Sequence, residues 1–291
     1  MWFSKNNLPL SGKTAVVLGA SQGLGAEFGR RLYLEGCSVI LVARTESKLK
    51  KHKDAIQATD KVIPPECTIS YAVCDVSDYD SVLGFFHKMM AIENIDPDYV
   101  FSFVGLAIPK LFNDLTKEDL VSGYQTNYVA NANVAHVFVN QVMAINKQTS
   151  RKQFKKRVLC MCSSVVSFYP VIGYSSYAPS KAALDSLCTI LRAELKPYNF
   201  RVATIFPGNF ESEGYIQEEK TKPEITKIVE GPSTPITVEK CADIILDKLN
   251  KGYDTITTDT IGWIVSCFGL GMYPRQWGFL QIIKQSKNKN E

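Results

Sequence analysis

The feature that most constrains this chain is a short apolar run that stops dead at a glycine. Lys13-Thr14-Ala15-Val16-Val17-Leu18 is partly β-branched and has no polar alternation, which reads as a parallel strand buried on both faces. It ends at Gly19-Ala20-Ser21-Gln22-Gly23-Leu24-Gly25 and passes into Ala26-Glu27-Phe28-Gly29-Arg30-Arg31-Leu32, which has helical period. Glycines at a strand-to-helix junction allow a tight turn and let backbone N–H groups close on a pyrophosphate at the helix N-terminus. Gly19, Ser21, Gln22, Gly23 and Gly25 are therefore candidates for holding a dinucleotide. A plain glycine turn is the competing reading, because G-x-x-x-G-x-G on its own is only moderately specific.

The same alternation repeats along the chain. Apolar strand runs are expected at residues 38–43, 68–74, 99–105, 157–162 and 201–206, with helical stretches between them. Strands alternating with helices predict an α/β fold with a doubly wound parallel sheet. The chain has 291 residues, no internal repeat and no linker, so one domain is expected over residues 1–258. Residues 209–235, after the sixth strand, carry charges and prolines without clear period, and they read as an irregular lid. Residues 259–291 form an apolar C-terminal segment.

Composition closes off several classes. A formal charge of +4, with basic residues scattered apart from small clusters at 48–53 and 151–157, points away from a nucleic-acid partner. Eight cysteines without a Cys-x-x-Cys pair, and three distant histidines, point away from a disulfide framework and from a metal site. Cys160 and Cys162 fall on one face of an apolar strand and read as small core residues. Reduced, cytosol-facing surroundings fit best. The first seven residues hold no apolar run of signal-peptide length.

Candidate chemistry gathers at the ends of the expected strands. The second strand ends in Arg44, where a cation suits the 2′-phosphate of NADP and an acidic residue would suit the ribose of NAD. Lys48 is a second candidate cation; a solvated pair at the helix start is the alternative. Asp75 and Val76 close the third strand and are placed to meet an adenine ring, with Asp75 as a helix N-cap the equal alternative. Asn127 lies within a long helical pattern over residues 117–147, where an asparagine is unfavourable unless its amide is used. Ser164 follows the fifth strand, and Tyr177 and Lys181 follow in Tyr174-Ser175-Ser176-Tyr177-Ala178-Pro179-Ser180-Lys181. Four-residue spacing puts the phenol and the ammonium on one helix face, where the positive charge is expected to lower the phenol's pKa. Pro179 requires the helix to begin at about Ser176, since a missing N–H costs little only in the first turn. The loop at residues 165–173 is too apolar for an ordinary surface connection and reads as a wall of a greasy site.

Taken in order, these residues resemble the short-chain dehydrogenase/reductases over about residues 10–251. Gly19, Gly23 and Gly25 match the cofactor loop of that family, Ser164, Tyr177 and Lys181 its catalytic set, Asn127 its helix asparagine, and Pro207-Gly208 its turn after the sixth strand. The resemblance implies a Rossmann fold and an NADP(H)-dependent oxidoreductase. A narrower likeness rests on Glu194-Leu195-Lys196-Pro197-Tyr198-Asn199, on the lid stretch Thr221-Lys222-Pro223-Glu224 and on Ile236-Thr237-Val238-Glu239. These resemble the 3-ketodihydrosphingosine reductases of sphingolipid synthesis, of the fungal type. That likeness implies NADPH as cofactor, a long-chain sphingoid ketone as substrate, and the cytosolic face of the endoplasmic reticulum membrane as location. It also implies that Lys181 grips the nicotinamide ribose and that Asn127 holds a water for proton return. Two departures stand out: Leu18 replaces the usual threonine before the first glycine, and Phe101-Ser102-Phe103-Val104-Gly105 replaces Asn-x-Ala-Gly, so the buttress under the cofactor loop must come from elsewhere. Other readings are another lipid or steroid ketone reductase, such as a 3-ketoacyl-CoA reductase, and a non-catalytic NADPH-binding scaffold. Residues 260–273 and 277–284, short apolar stretches edged by Trp and cations, read as a peripheral membrane contact, a contact between two copies of the chain, or a last core helix.

Overall fold

The computed structural model describes residues 6–232 and 234–267. Its strands are β1 (Thr14–Leu18), β2 (Ser38–Ala43), β3 (Ile69–Val73), β4 (Tyr99–Ser102), β5 (Arg157–Cys162), β6 (Phe200–Phe206) and β7 (Thr255–Thr257). All pair in parallel, in the order β3-β2-β1-β4-β5-β6-β7. Strand order reverses between β1 and β4, and the crevice outside the carboxyl ends of these strands is where a doubly wound sheet binds ligands.

Helices cover both faces: α1 (Gly23–Leu34), α2 (Glu46–Gln57), α3 (Tyr79–His87), α4 (Lys117–Tyr124), α5 (Ala130–Ile145), α6 (Tyr177–Glu194), α7 (Glu213–Thr221), α8 (Glu224–Glu230), α9 (Val238–Lys251) and α10 (Thr260–Ser266). The inner strands therefore have no solvated face and need no polar alternation, whereas edge strand β3 keeps Ser70 and Val73 exposed. Val16 and Leu18 point into one buried cluster, with Val100, Leu159 and Phe138. Ala15 and Val17 point into the other, with Phe28, Leu41 and Phe101. Phe28 meets Phe101 edge-on with ring centroids 4.8 Å apart, a contact worth about 1 kcal/mol beyond burial. Cys160 and Cys162 lie in this second cluster, as expected of small core residues.

Several expectations need correction. A seventh strand follows α9; Thr255-Ile256-Thr257 pairs with Thr204–Phe206 and is too short to show a period. Residues 209–235 are not irregular: α7 starts on Ser212, whose side chain accepts the Tyr215 N–H, and α8 starts after Pro223. α7 buries no residue completely, which explains why it carries no readable apolar stripe. β4 ends at Ser102 rather than running to Gly105. The long helix over 117–147 is α4 and α5 joined by a π-helical turn at Gln125–Val129. Asp75 does not cap α3; Asp78 does, accepting from the N–H groups of Asp80 and Ser81. Of the C-terminal segment, only its start is described, as α10 capped by Asp259; residues 268–291, with the second apolar stretch, lie outside the described residues. No helix among the described residues is long and apolar enough to cross a membrane.

Candidate active site

At the carboxyl ends of β1 and β4 the chain is held by close backbone packing. Gly19 has φ +79°, and a Cβ there would stand 2.9 Å from the Phe103 carbonyl carbon. A Cβ on Gly25 would collide with the Gly19 carbonyl oxygen. The two glycines therefore let the loop fold back on itself and on β4. α1 then presents its N-terminus: Gln22 precedes it without capping it, and its first turn has no acidic residue. Those first N–H groups, backed by the helix dipole, suit a pyrophosphate. Of the other loop residues, Ser21 has its carbonyl bonded by His52 Nε2 at 2.9 Å, and Gln22 accepts from Lys48 Nζ at 2.6 Å.

Lys48 also pairs with Glu213 of α7 at 3.1 Å, so it ties the lid to the cofactor loop as well as standing near it. Arg44 is exposed at the end of β2. Asp75 lies beside it: hydrogen bonds from Ser77, with help from the Arg44 charge, hold the Asp75 carboxyl below its ordinary value. Val76 is packed into the core with Val42 and Val82, so little of its side chain is left for a ring. These residues fit a phosphorylated dinucleotide: a glycine cradle, an uncapped helix end and a cation at the second strand.

The end of β4, against which Gly19 packs at Phe103, is held by Asn131, which its sequence position does not single out. It is fully buried; its Oδ1 accepts from Ser102 Oγ at 2.6 Å, and its Nδ2 donates to the carbonyls of Val104 and Asn127. The legible signal is an Asn-x-x-x-Asn pair, which puts Asn131 one turn beyond Asn127. Asn127 sits in the π-helical turn and bonds the backbone of Leu106 twice, accepting its N–H at 2.8 Å and donating to its carbonyl at 2.9 Å. Its amide is thus used, which was the condition for an asparagine there. A π-turn at such a point re-aims a side chain that a regular helix would place elsewhere.

Ser164, Tyr177 and Lys181 meet beyond β5. α6 begins at Tyr177, which puts Pro179 in its first turn as required. Ser163 Oγ donates to the Lys181 carbonyl at 2.9 Å, and Lys181 Nζ donates to the Cys162 carbonyl at 2.7 Å, so α6 is tied to the end of β5 on two sides. Lys181 Nζ lies 5.7 Å from the centre of the Tyr177 ring. It also lies at Gly105 together with Asn127 Oδ1, where a Cβ would touch both. The expected lowering of the Tyr177 pKa by Lys181 is not what this arrangement gives. Burial pushes the phenol up, the Glu218 carboxylate adds to the rise, and a hydrogen bond with Ser164 opposes it only in part. Lys181 is itself lowered by burial, which disfavours its charged form. The result is a half-buried phenol held in its acid form beside the Ser164 hydroxyl.

The apolar loop after Ser164 makes a short 3₁₀ turn at Val165–Ser167, and Phe168 stacks on Phe206 with centroids 4.2 Å apart. The lid lies against this loop, with Thr226 Oγ1 donating to the Ile172 carbonyl at 3.0 Å. Ile172, Ile216 and Ile228 remain exposed around it, and Ile261 and Trp263 of α10 are exposed as well.

Comparison with known proteins adds the following. Residues 13–223 match the model of the short chain dehydrogenase family. The chain is 51% identical over 285 residues to 3-ketodihydrosphingosine reductase TSC10 of Debaryomyces hansenii, covering 97% of this chain and 86% of the relative. It is 37% identical over 292 residues to the reductase of the same name from Saccharomyces cerevisiae, covering 94% and 87%. Among solved structures, a short chain dehydrogenase from Burkholderia cenocepacia in complex with NADP aligns with a TM-score of 0.69 at 19% identity, covering 89% of this chain and 93% of that one. A short chain dehydrogenase/reductase from Burkholderia phymatum in complex with NAD aligns with a TM-score of 0.73 at 17% identity, covering 89% and 93%. At those identities the solved structures establish the fold.

Proposed function

The chain belongs to the short-chain dehydrogenase family, and from that premise we propose that it reduces the ketone of 3-ketodihydrosphingosine (3-oxosphinganine) to the alcohol of sphinganine, with NADPH. The observation that carries the substrate is the likeness to the Debaryomyces hansenii reductase along nearly the whole chain, lid included.

When bound, NADPH supplies a hydride to the carbonyl carbon. The roles assigned to the chain's own residues are these. Gly19, Ser21, Gln22, Gly23 and Gly25 hold the pyrophosphate at the N-terminus of α1. Arg44, with Lys48 beside it, takes the 2′-phosphate, and Asp75 with the edge of Val76 takes the adenine. Ser164 donates to the ketone oxygen and holds it as negative charge develops. Tyr177 gives that oxygen its proton. The raised pKa keeps the phenol in its acid form, the form this step consumes. Lys181 grips the nicotinamide ribose, and Asn127 keeps Lys181 and the end of β4 in register for proton return.

A sphingoid chain is long and apolar, so the site must open toward lipid. Ile172 of the apolar loop, Ile216 and Ile228 of the lid, and Ile261 and Trp263 of α10, which packs on that loop through Gly262 and Val165, are exposed apolar residues. We assign these residues to peripheral contact with the cytosolic face of the endoplasmic reticulum membrane. Deleting residues 259–291 is expected to weaken flotation with liposomes. Unchanged flotation, with a dimer lost on sedimentation, would assign the segment to contact between two copies instead.

The substrate is tested by incubating purified protein and NADPH with 3-ketodihydrosphingosine and a panel of other lipid and steroid ketones, 3-ketoacyl-CoA included. Sphinganine as the main product is the expected result. Preferential turnover of the CoA ester would overturn the assignment.

A further inference from the structure

Lys222 is the least expected residue of the lid. Its side chain is 1% exposed, in a segment where most charges are solvated. Around it stand Glu219, Glu230 at 2.8 Å and Glu218 at 3.7 Å, with the rings of Tyr215 and Tyr174 at about 6 Å. Burying an ammonium costs several kcal/mol unless it is well paired, so this lysine is held by what it organises. What it organises reaches the active site. Glu218 accepts a hydrogen bond from the Tyr174 phenol. The Tyr174 backbone carbonyl in turn accepts the N–H groups of Tyr177 at 3.1 Å and Ala178 at 2.8 Å. These are the first donors of α6, and Ser176, which precedes the helix, gives them no side-chain cap. Tyr174 is thus the cap of the catalytic helix, and its ring lies 5.9 Å from that of Tyr177. The lid grips the other side of Tyr174 as well: Gly173 has φ +91° and packs so closely on Thr226 that a Cβ would collide with it.

We propose that Glu218, held by Lys222, is a positioning residue for the reduction: through Tyr174 it fixes the first turn of α6 and so the place of the Tyr177 phenol. The inference deepens the reading of the chain as a ketone reductase and rests on it. It gives the Thr221-Lys222-Pro223-Glu224 stretch a physical task, since Lys222 and Thr226 dock the lid on either side of the cap.

Charge reaches Tyr177 from every side of this arrangement. Lys181 lies on α6, Cys162 and Ser164 lie at the end of β5, Tyr174 lies on the preceding loop, and Glu218 comes from α7. Glu218 is the carboxylate of the set: burial raises its own carboxyl above the ordinary value, against the Tyr174 hydroxyl and Lys222, and in its ionised form it favours the protonated phenol. Replacing it by a neutral isostere removes one of the groups that raise the phenol while leaving its burial, so the alkaline fall of kcat is expected to move to lower pH.

The test compares the wild-type chain with Glu218→Gln, Tyr174→Phe and Lys222→Arg in kcat, in its pH profile and in NADPH affinity by fluorescence titration. Glu218→Gln and Tyr174→Phe are expected to lose roughly 10- to 100-fold in kcat, the cost of a misplaced catalytic group. NADPH affinity should stay within about twofold. The alkaline limb should move down in Glu218→Gln alone, and Lys222→Arg should retain most of kcat. Wild-type kcat and pH profile in Glu218→Gln would overturn the proposal, and so would parallel loss of kcat and NADPH affinity, which marks general damage to the lid. If the wild-type chain does not reduce 3-ketodihydrosphingosine, the substrate assignment fails; the same comparison on whichever ketone it does reduce still decides the role of Glu218.

Discussion

Substituting Gly19 by alanine tests the cofactor cradle, and Gly12 provides its control. Both glycines have left-handed backbones, φ +79° and φ +70°. A Cβ on Gly12 meets nothing within 4 Å, whereas one on Gly19 meets Phe103 C at 2.9 Å, Phe103 O at 3.1 Å and Val104 N at 3.1 Å. Gly12→Ala therefore carries only the left-handed penalty of about 1–2 kcal/mol, partly offset by the stiffer unfolded chain. Gly19→Ala carries the same penalty and also pushes a carbon into backbone well inside the ordinary contact distance of about 3.5–4.0 Å. Backbone cannot rotate away as a side chain can, so a further cost of about 1–3 kcal/mol follows. Urea denaturation of both variants should place Gly19→Ala about 1–3 kcal/mol below Gly12→Ala. NADPH titration should show at least a roughly tenfold weaker Kd in Gly19→Ala and an unchanged Kd in Gly12→Ala. Equal destabilisation, or an unaltered Kd in Gly19→Ala, would refute the cradle.

Three further expectations are independent of that one. Arg44→Ala should raise the KM for NADPH by about 10- to 100-fold, as loss of hydrogen bonds to a charged group implies, and leave the KM for NADH nearly unchanged; an unaltered preference for NADPH would show that the 2′-phosphate is held elsewhere. Asn131→Ala should cost about 1–3 kcal/mol in chemical denaturation and weaken NADPH, because it strips Ser102 Oγ and the Val104 carbonyl of their buried partner. Burial opposes ionisation of Glu27, but its hydrogen bonds from Arg30 and Arg31 win and hold its carboxyl below the ordinary 4.5. Its contribution is thus present above pH 4.5 and lost as pH falls through the folded-state value, so Glu27→Gln should be about 1 kcal/mol less stable at pH 7 and lose less between pH 7 and pH 3 in acid titration.

The sheet was legible because its inner strands are buried on both faces. Runs such as Ser38–Ala43 and Arg157–Cys162 carry their own signal and were found with their observed ends. The glycine loop, Arg44 and the Ser164, Tyr177, Lys181 set were legible because spacing along the chain maps onto one strand end or one helix turn. What escaped the sequence was decided by partners far along the chain. Asn131 acts on Ser102 across 29 positions, Lys48 on Glu213 across 165, and Glu218 on Tyr174 across 44. The lid helices escaped because α7 buries no residue fully, and β7 because three residues cannot show a period. The proton affinity of Tyr177 is not legible along the chain for a related reason. Spacing showed the ammonium one turn away, but burial of both groups and a carboxylate from the lid were needed to set the balance.

In the proposed reaction the Tyr177 phenol protonates the ketone oxygen of a sphingoid substrate. Tyr177→Phe removes one oxygen and keeps the ring, so the measurement is sphinganine formed from 3-ketodihydrosphingosine and NADPH by this variant, beside its NADPH affinity. Turnover should fall by about 10²- to 10⁴-fold, the usual worth of a positioned general acid, with Kd for NADPH within about twofold of wild type. Near wild-type sphinganine production by Tyr177→Phe would contradict the account.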